Sequence, residues 1–264
     1  MTRMQNQSGS GTGLAIATGL AIAATIVINT LSNLFPPNGQ NVGEIANTVL
    51  AGVLITPANY AFAIWGLIYL GLIAYGIYQF SPDRRDQPQI QRTNQLLIVA
   101  CVAQIIWIFL FTLEQFGWSI LAMLGILLPL MGIYLTLDIG RGRVSRQRRW
   151  QAHIPFSLYL GWIAVATIVN VASALYAANW TGWGLSPIAW TVIMVVVAAL
   201  VAALVMATRR DVAYTLVAVW ALVAIALRHN TIAAIWVTSA VAAAILAVWV
   251  VWSLATFTQQ RSFS

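Results

Sequence analysis

Eight continuously apolar runs, at about residues 14–33, 60–80, 96–112, 119–137, 154–178, 188–207, 212–227 and 231–257, decide what this chain can fold into. Most of them approach the roughly 20 residues that a helix needs to cross about 30 Å of hydrocarbon. Only 7% of the 264 residues are charged, where a soluble domain carries roughly 25%, so water is not the solvent for such a surface. The runs do not alternate between apolar and polar positions, which disfavours barrel strands. Lipid gives exposed backbone groups no partner, and helices with internal hydrogen bonds are the remaining solution. The expected fold is therefore all-α, a polytopic membrane bundle of eight transmembrane helices. The seventh run is the shortest and is parted from the eighth only by Arg228, His229 and Asn230, which predicts a tight helical hairpin.

Charge supplies an orientation. All thirteen basic residues are Arg, and alternate connections divide them unevenly. One side collects Arg3, Arg84, Arg85, Arg92, Arg141, Arg143, Arg146, Arg148, Arg149, Arg209, Arg210 and Arg261; the other has Arg228 alone. Cytoplasmic loops are the Arg-rich ones, so both termini are expected in the cytoplasm, with the cell (inner) membrane as host. The same rule accounts for the net charge of +7 without nucleic acid as a partner. The cluster RGRVSRQRR at 141–149 reads as an orientation signal facing anionic headgroups, with partner docking as the alternative. Residues 1–13 are expected to form a flexible polar tail. The first run follows Arg3 as a secretory leader would, but it is long and no small-residue cleavage site follows it, so it is expected to stay as a span.

Several chemistries find no support. His153 and His229 are far apart, so no metal constellation is visible. Glu44, Asp83, Asp86, Glu114, Asp138 and Asp211 fall in loops or at helix ends, which argues against a proton relay. Neither a phosphate loop nor a nucleophile elbow is present. Cys101, within an apolar run, reads as a packing residue. No cofactor is required, and catalysis is not expected.

Aromatic residues inside the spans are the remaining signal. Of twelve Trp, Trp118, Trp150, Trp180, Trp183 and Trp190 lie near span ends, where an interfacial belt accounts for them. Trp65, Trp107 and Trp162 lie deeper. At about 1.5 Å per residue, Trp65 and Trp107 sit roughly 8 Å, and Asn170 roughly 12 Å, below the outer boundary. Tyr69 follows Trp65 by four residues and Gln104 precedes Trp107 by three, so each pair shares a helix face. The set reads either as an apolar pocket with a few orienting polar groups or as interhelical glue. Above it, residues 34–59 form the longest connection, with Pro36, Pro37, Gly39 and Gly43 and then an amphipathic stretch at 44–54. This segment is expected to act as a lid, a disordered loop being the alternative.

At these residues the chain resembles the tryptophan-rich sensory protein/translocator protein (TspO/MBR) family. In LYLGWIAVATIVN (158–170), Tyr159, Trp162, Ala166 and Asn170 fall on the spacing of the family's fifth helix. FAIWGLIY (62–69) is similar to its second helix, and QIIWIFLF (104–111) to its third. Departures are Leu158 for the family's Pro, Gln104 for Asn, and ITPANY (55–60) for the Trp-x-Pro-Pro of the first loop. The basic residue of the cholesterol pattern is missing after Leu175 and Tyr176. The resemblance implies a five-helix domain over 14–180, with 181–264 a three-helix extension outside the family's plan. It implies a ligand-binding or sensory role toward a hydrophobic planar molecule, a porphyrin, haem-like tetrapyrrole or sterol-like compound. The ligand-binding set would be Trp65, Tyr69, Gln104, Trp107, Tyr159, Trp162, Ala166 and Asn170, with Trp stacking and with Tyr69 and Asn170 hydrogen-bonding. The lipid bilayer and a homodimer partner are implied as well. A transporter of a hydrophobic metabolite is the alternative; tetrapyrrole breakdown, suggested by family behaviour, finds no acid-base residues here.

Overall fold

A computed structural model describes residues 5–262, and the side chains of 11–256. In chain order the helices are α1 (Gln5–Leu34), α2 (Val42–Asn47), α3 (Ile64–Gln79), α4 (Pro82–Arg85), α5 (Pro88–Thr112), α6 (Phe116–Thr136), α7 (Arg146–Arg148), α8 (Ile154–Ala177), α9 (Pro187–Arg209), α10 (Val212–Arg228) and α11 (Ala233–Ser262). No strand occurs among the described residues. A 3₁₀ turn over Asn59–Ala63 leads into α3, and a π turn over Arg149–His153 leads into α8. Helix α1 already runs from Gln5, within the segment expected as a tail; Arg3 and the side chain of Arg261 lie outside the described residues.

Among the described residues seven segments are long and apolar enough to cross a membrane, and the chain is an integral membrane protein. The 17-residue α10 falls short of that length, yet it runs from one end of the bundle to the other. Its first turn meets the ends of α6 and α8, and its last residue meets the α1–α3 connection. A tight turn at 229–232 then reverses the chain into α11, the expected hairpin.

The helix boundaries follow local chemistry. Pro88 and Pro187 occupy first turns, where their missing N–H would have had no intrahelical partner. Pro155 instead follows directly on the π turn, inside a continuous helical stretch. Ser186 Oγ caps α9 by accepting from Ala189 N at 3.2 Å, and Asp211 caps α10 by accepting from Tyr214 N at 3.1 Å.

Five helices close a ring: α1 packs on α5, α5 on α6, α6 on α8, α8 on α3, and α3 back on α1. The last three form a second unit, with α10 against α9 and α11, and it docks on the ring chiefly through α10 on α8. Gly161 permits that approach, since a Cβ there would stand 3.1 Å from Val217 Cβ and 3.3 Å from the Tyr214 carbonyl. Large apolar side chains such as Leu20, Leu67, Leu70, Ile77, Leu128, Leu200 and Val248 point outward, a surface that only lipid solvates well.

The Arg-rich connections meet at one end of the bundle and are cross-linked there. Arg84 donates to Gln147 Oε1 at 2.7 Å, Arg148 to Gln89 Oε1 at 2.7 Å, and Arg209 pairs with Asp138 at 2.9 Å. Arg148 and Arg209 thus hold loops together in addition to any headgroup contact. Asp211 sits at a helix end as expected, but it is buried: its Oδ2 accepts from Tyr134 Oη at 2.9 Å and from Ser157 Oγ at 2.6 Å. This carboxylate joins α10 to both α6 and α8.

Candidate functional site

The five-helix ring encloses a cavity of about 430 Å³, within the range of small-molecule sites. Its deeper wall is aromatic and apolar. Phe62 comes from the 3₁₀ turn before α3 and Trp65 from the start of α3, Trp107 and Phe111 from α5, Met123 and Ile126 from α6, and Trp162, Ala166 and Val169 from α8. Its mouth is rich in amides, with Asn29 and Asn33 of α1 facing Asn41, Asn47 and Asn59 of the α1–α3 connection. Among the described residues Glu44 is the one charged residue in the lining.

The α1–α3 connection forms the roof, as expected of a lid. A reciprocal capping box shapes its helix α2: Glu44 N donates to Asn41 Oδ1 at 3.0 Å, and Asn41 N to Glu44 Oε2 at 2.7 Å. Asn47 Nδ2 donates to Asn59 Oδ1 at 2.7 Å and ties the two ends of the roof together. Ile45, Leu50, Val53 and Ile55 are buried beneath it and hold it on the bundle.

Two side-chain networks brace the aromatic wall. In the first, Gln104 lies between two tyrosines from neighbouring helices: its Nε2 donates to Tyr69 Oη at 3.5 Å, and its Oε1 accepts from Tyr159 Oη. Trp65 stacks on Tyr69 with centroids 5.4 Å apart and an interplanar angle of 26°, and meets Tyr159 edge-on at 6.0 Å. In the second, Trp107 Nε1 donates to Asn170 Oδ1 at 2.8 Å, and Asn170 Nδ2 donates to Ser119 Oγ at 3.1 Å. Trp162 is buried and meets Phe62 edge-on at 6.0 Å. The Trp107 N–H and the Gln104 and Asn170 amides are buried, where an unmade hydrogen bond costs more than a made one contributes. The bonds therefore fix how the rings face the cavity.

Of the eight residues singled out in the sequence, Trp65, Gln104, Trp107, Trp162, Ala166 and Asn170 line the cavity. Tyr69 and Tyr159 stand behind the wall and bond to Gln104, so Tyr69 sits where it orients the amide and not where a ligand would be. The asparagines of the mouth were missed. Asn29 and Asn33 carried a signal, two amides four residues apart near the end of an apolar run, and so on one helix face. The roof asparagines carried none, since polar residues are ordinary in a loop. No group of three or more metal-ligating side chains occurs among the described residues.

A family model described as TSPO-like protein matches residues 15–252. The match runs well past Trp180 and through most of α11, so the last three helices lie within the matched pattern and not outside it. No curated protein matches the chain, and no solved structure does.

Proposed function

Because the chain belongs to the TSPO-like protein family, we propose that its five-helix ring is a binding chamber for a flat hydrophobic molecule of the porphyrin or tetrapyrrole class. The observation that carries this reading is the convergence of Trp65, Trp107 and Trp162, from three helices, on one roofed cavity with an amide-rich mouth. Indole faces suit a planar π system, and the mouth amides suit polar substituents on its rim. Among the described residues no His or Cys lines the cavity, and its single sulfur is the Met123 thioether. The ring would thus be held by stacking and hydrogen bonds in preference to axial ligation of a metal. In this reading the Arg-rich end faces the cytoplasm and the roof faces the opposite side.

Titration of the purified full chain with protoporphyrin, followed by porphyrin absorbance, tests the proposal. Loss of one aromatic contact, worth about 0.5–1.5 kcal/mol, should weaken binding roughly 2- to 13-fold in Trp65→Ala and in Trp107→Ala. Wild-type affinity in both variants would reject the assignment. Porphyrin flux across proteoliposomes separates binding or sensing from carriage, since a binding protein gives no net translocation.

A further inference from the structure

Besides packing on the ring it covers, the roof is hydrogen-bonded to α10. Ala58 N donates to the Ala224 carbonyl at 3.1 Å, and Trp220 Nε1 donates to the Ala61 carbonyl at 3.1 Å. The Tyr60 ring meets Trp220 edge-on with centroids 5.0 Å apart. At the end of α10, Arg228 donates through Nη1 to the Pro57 carbonyl and through Nη2 to the Ala46 carbonyl, both at 3.2 Å. One guanidinium therefore bridges the end of α2 to the segment entering α3, the two parts of the roof that flank the mouth. The acceptors it meets are carbonyls, and neither ion pair of the described residues includes it.

This placement accounts for an anomaly in the sequence. Arg228 is the one Arg on the side opposite the Arg-rich connections, where orientation disfavours a positive charge. Arg suits the position because its planar fork presents several donors in a fixed geometry and keeps its charge under all ordinary conditions. A Lys ammonium presents its donors from a single atom and lacks that fork.

We propose that α10 is a clasp for the roof, with Arg228 and Trp220 as positioning residues that govern entry to and exit from the cavity. The second helical unit then acts on the ligand site without lining it. The proposal rests on reading the cavity as that site, and its test has a readout that needs no ligand.

Hydrogen exchange of the full chain in lipid nanodiscs should be compared for wild type, Arg228→Ala, Arg228→Lys and Trp220→Phe. Loss of a hydrogen bond from a charged donor should raise exchange over residues 44–58 by roughly tenfold or more in Arg228→Ala. Arg228→Lys should fall between that and wild type, Trp220→Phe should show a smaller rise, and α5 and α6 should keep their protection. In stopped-flow measurements with protoporphyrin, association and dissociation should both quicken by similar factors, leaving the dissociation constant nearly unchanged. A merely structural defect would instead weaken binding and expose the ring helices together. Unchanged roof exchange in Arg228→Ala overturns the clasp, and should that variant not fold, unchanged exchange in Trp220→Phe does the same. Faster roof exchange in Arg228→Ala, together with a wild type that binds no porphyrin, sinks the ligand reading and leaves the clasp standing.

Discussion

Replacing Asn170 should weaken the bundle more than replacing the Trp it holds. Asn170 is 2% exposed, and its Oδ1 accepts from Trp107 Nε1 at 2.8 Å and from Ser119 Oγ at 3.2 Å, while its Nδ2 donates to Ser119 at 3.1 Å. Asn170→Ala removes all of these and orphans the indole N–H. Hydrogen bonds between membrane helices average about 0.6 kcal/mol and reach about 1.7. Losing the links to two partners should therefore cost about 1–3 kcal/mol. Trp107→Phe breaks only the indole bond and leaves Asn170 Oδ1 its contact with Ser119, so the hydrogen-bond part of its cost should be about 0.6–1.7 kcal/mol. The clean quantity is the coupling in a double-mutant cycle with Trp107→Phe and Asn170→Ala, expected at about 0.6–1.7 kcal/mol. Reversible unfolding in mixed detergent micelles, followed by far-ultraviolet circular dichroism, measures it without relying on the mutated fluorophore. Coupling indistinguishable from zero while both single variants are destabilised would refute the idea that this bond orients the aromatic wall.

Two further outcomes test other parts of the molecule. Asp211→Asn replaces an acceptor of two hydroxyl donors and one backbone N–H by a group with a single acceptor atom. It should cost about 1–3 kcal/mol and loosen α10 from α6 and α8, read as faster proteolysis at the 209–212 turn; wild-type proteolysis would contradict it. His229 lies between α10 and α11, and burial, reinforced by the neighbouring Arg228, pushes its imidazole below the usual 6.5, with the Thr56 backbone contact opposing. A His depressed in the folded state binds fewer protons there than when released, so its contribution is complete above pH 6.5 and declines as the pH falls from there toward the folded value. Corrected for the intrinsic exchange rate, which itself falls with pH, the protection of the roof should accordingly drop between pH 6.5 and 5 in the wild type but not in His229→Gln; parallel protection profiles in the two would exclude His229 as the cause.

Element order and the membrane setting were legible because hydropathy acts locally. A run such as 60–80 has no option but a helix in lipid, and the three residues between the last two runs left room only for a hairpin. Depth arithmetic carried further than spacing alone: Trp65, Trp107 and Asn170 do meet the same cavity. Asymmetric partnerships were not legible. Gln104 and Tyr159 lie 55 positions apart, and Ser119 and Asn170 51 apart, and no periodicity reports which side chains meet across helices. Tyr69 has the spacing of a wall residue, yet its hydroxyl is claimed by Gln104. Asp211 reads as a helix cap, which it is, but burial by Tyr134 and Ser157 depends on how closely α10 approaches Gly161. The roof's attachment runs through backbone carbonyls at Ala46, Pro57 and Ala61, atoms that every sequence possesses and none advertises.

The length of α10 explains why both of its ends are sheltered by protein. Seventeen residues at about 1.5 Å each span about 25 Å, less than the roughly 30 Å of hydrocarbon. Such a helix leaves its ends closer together than the two headgroup layers, which favours partners within the protein for the groups at its tips. Asp211 finds them among hydroxyls and Arg228 among carbonyls. Lengthening α10 by one turn would bring its tips nearer to water and weaken the demand for either contact, so the brevity of this helix favours the grip it has on its neighbours.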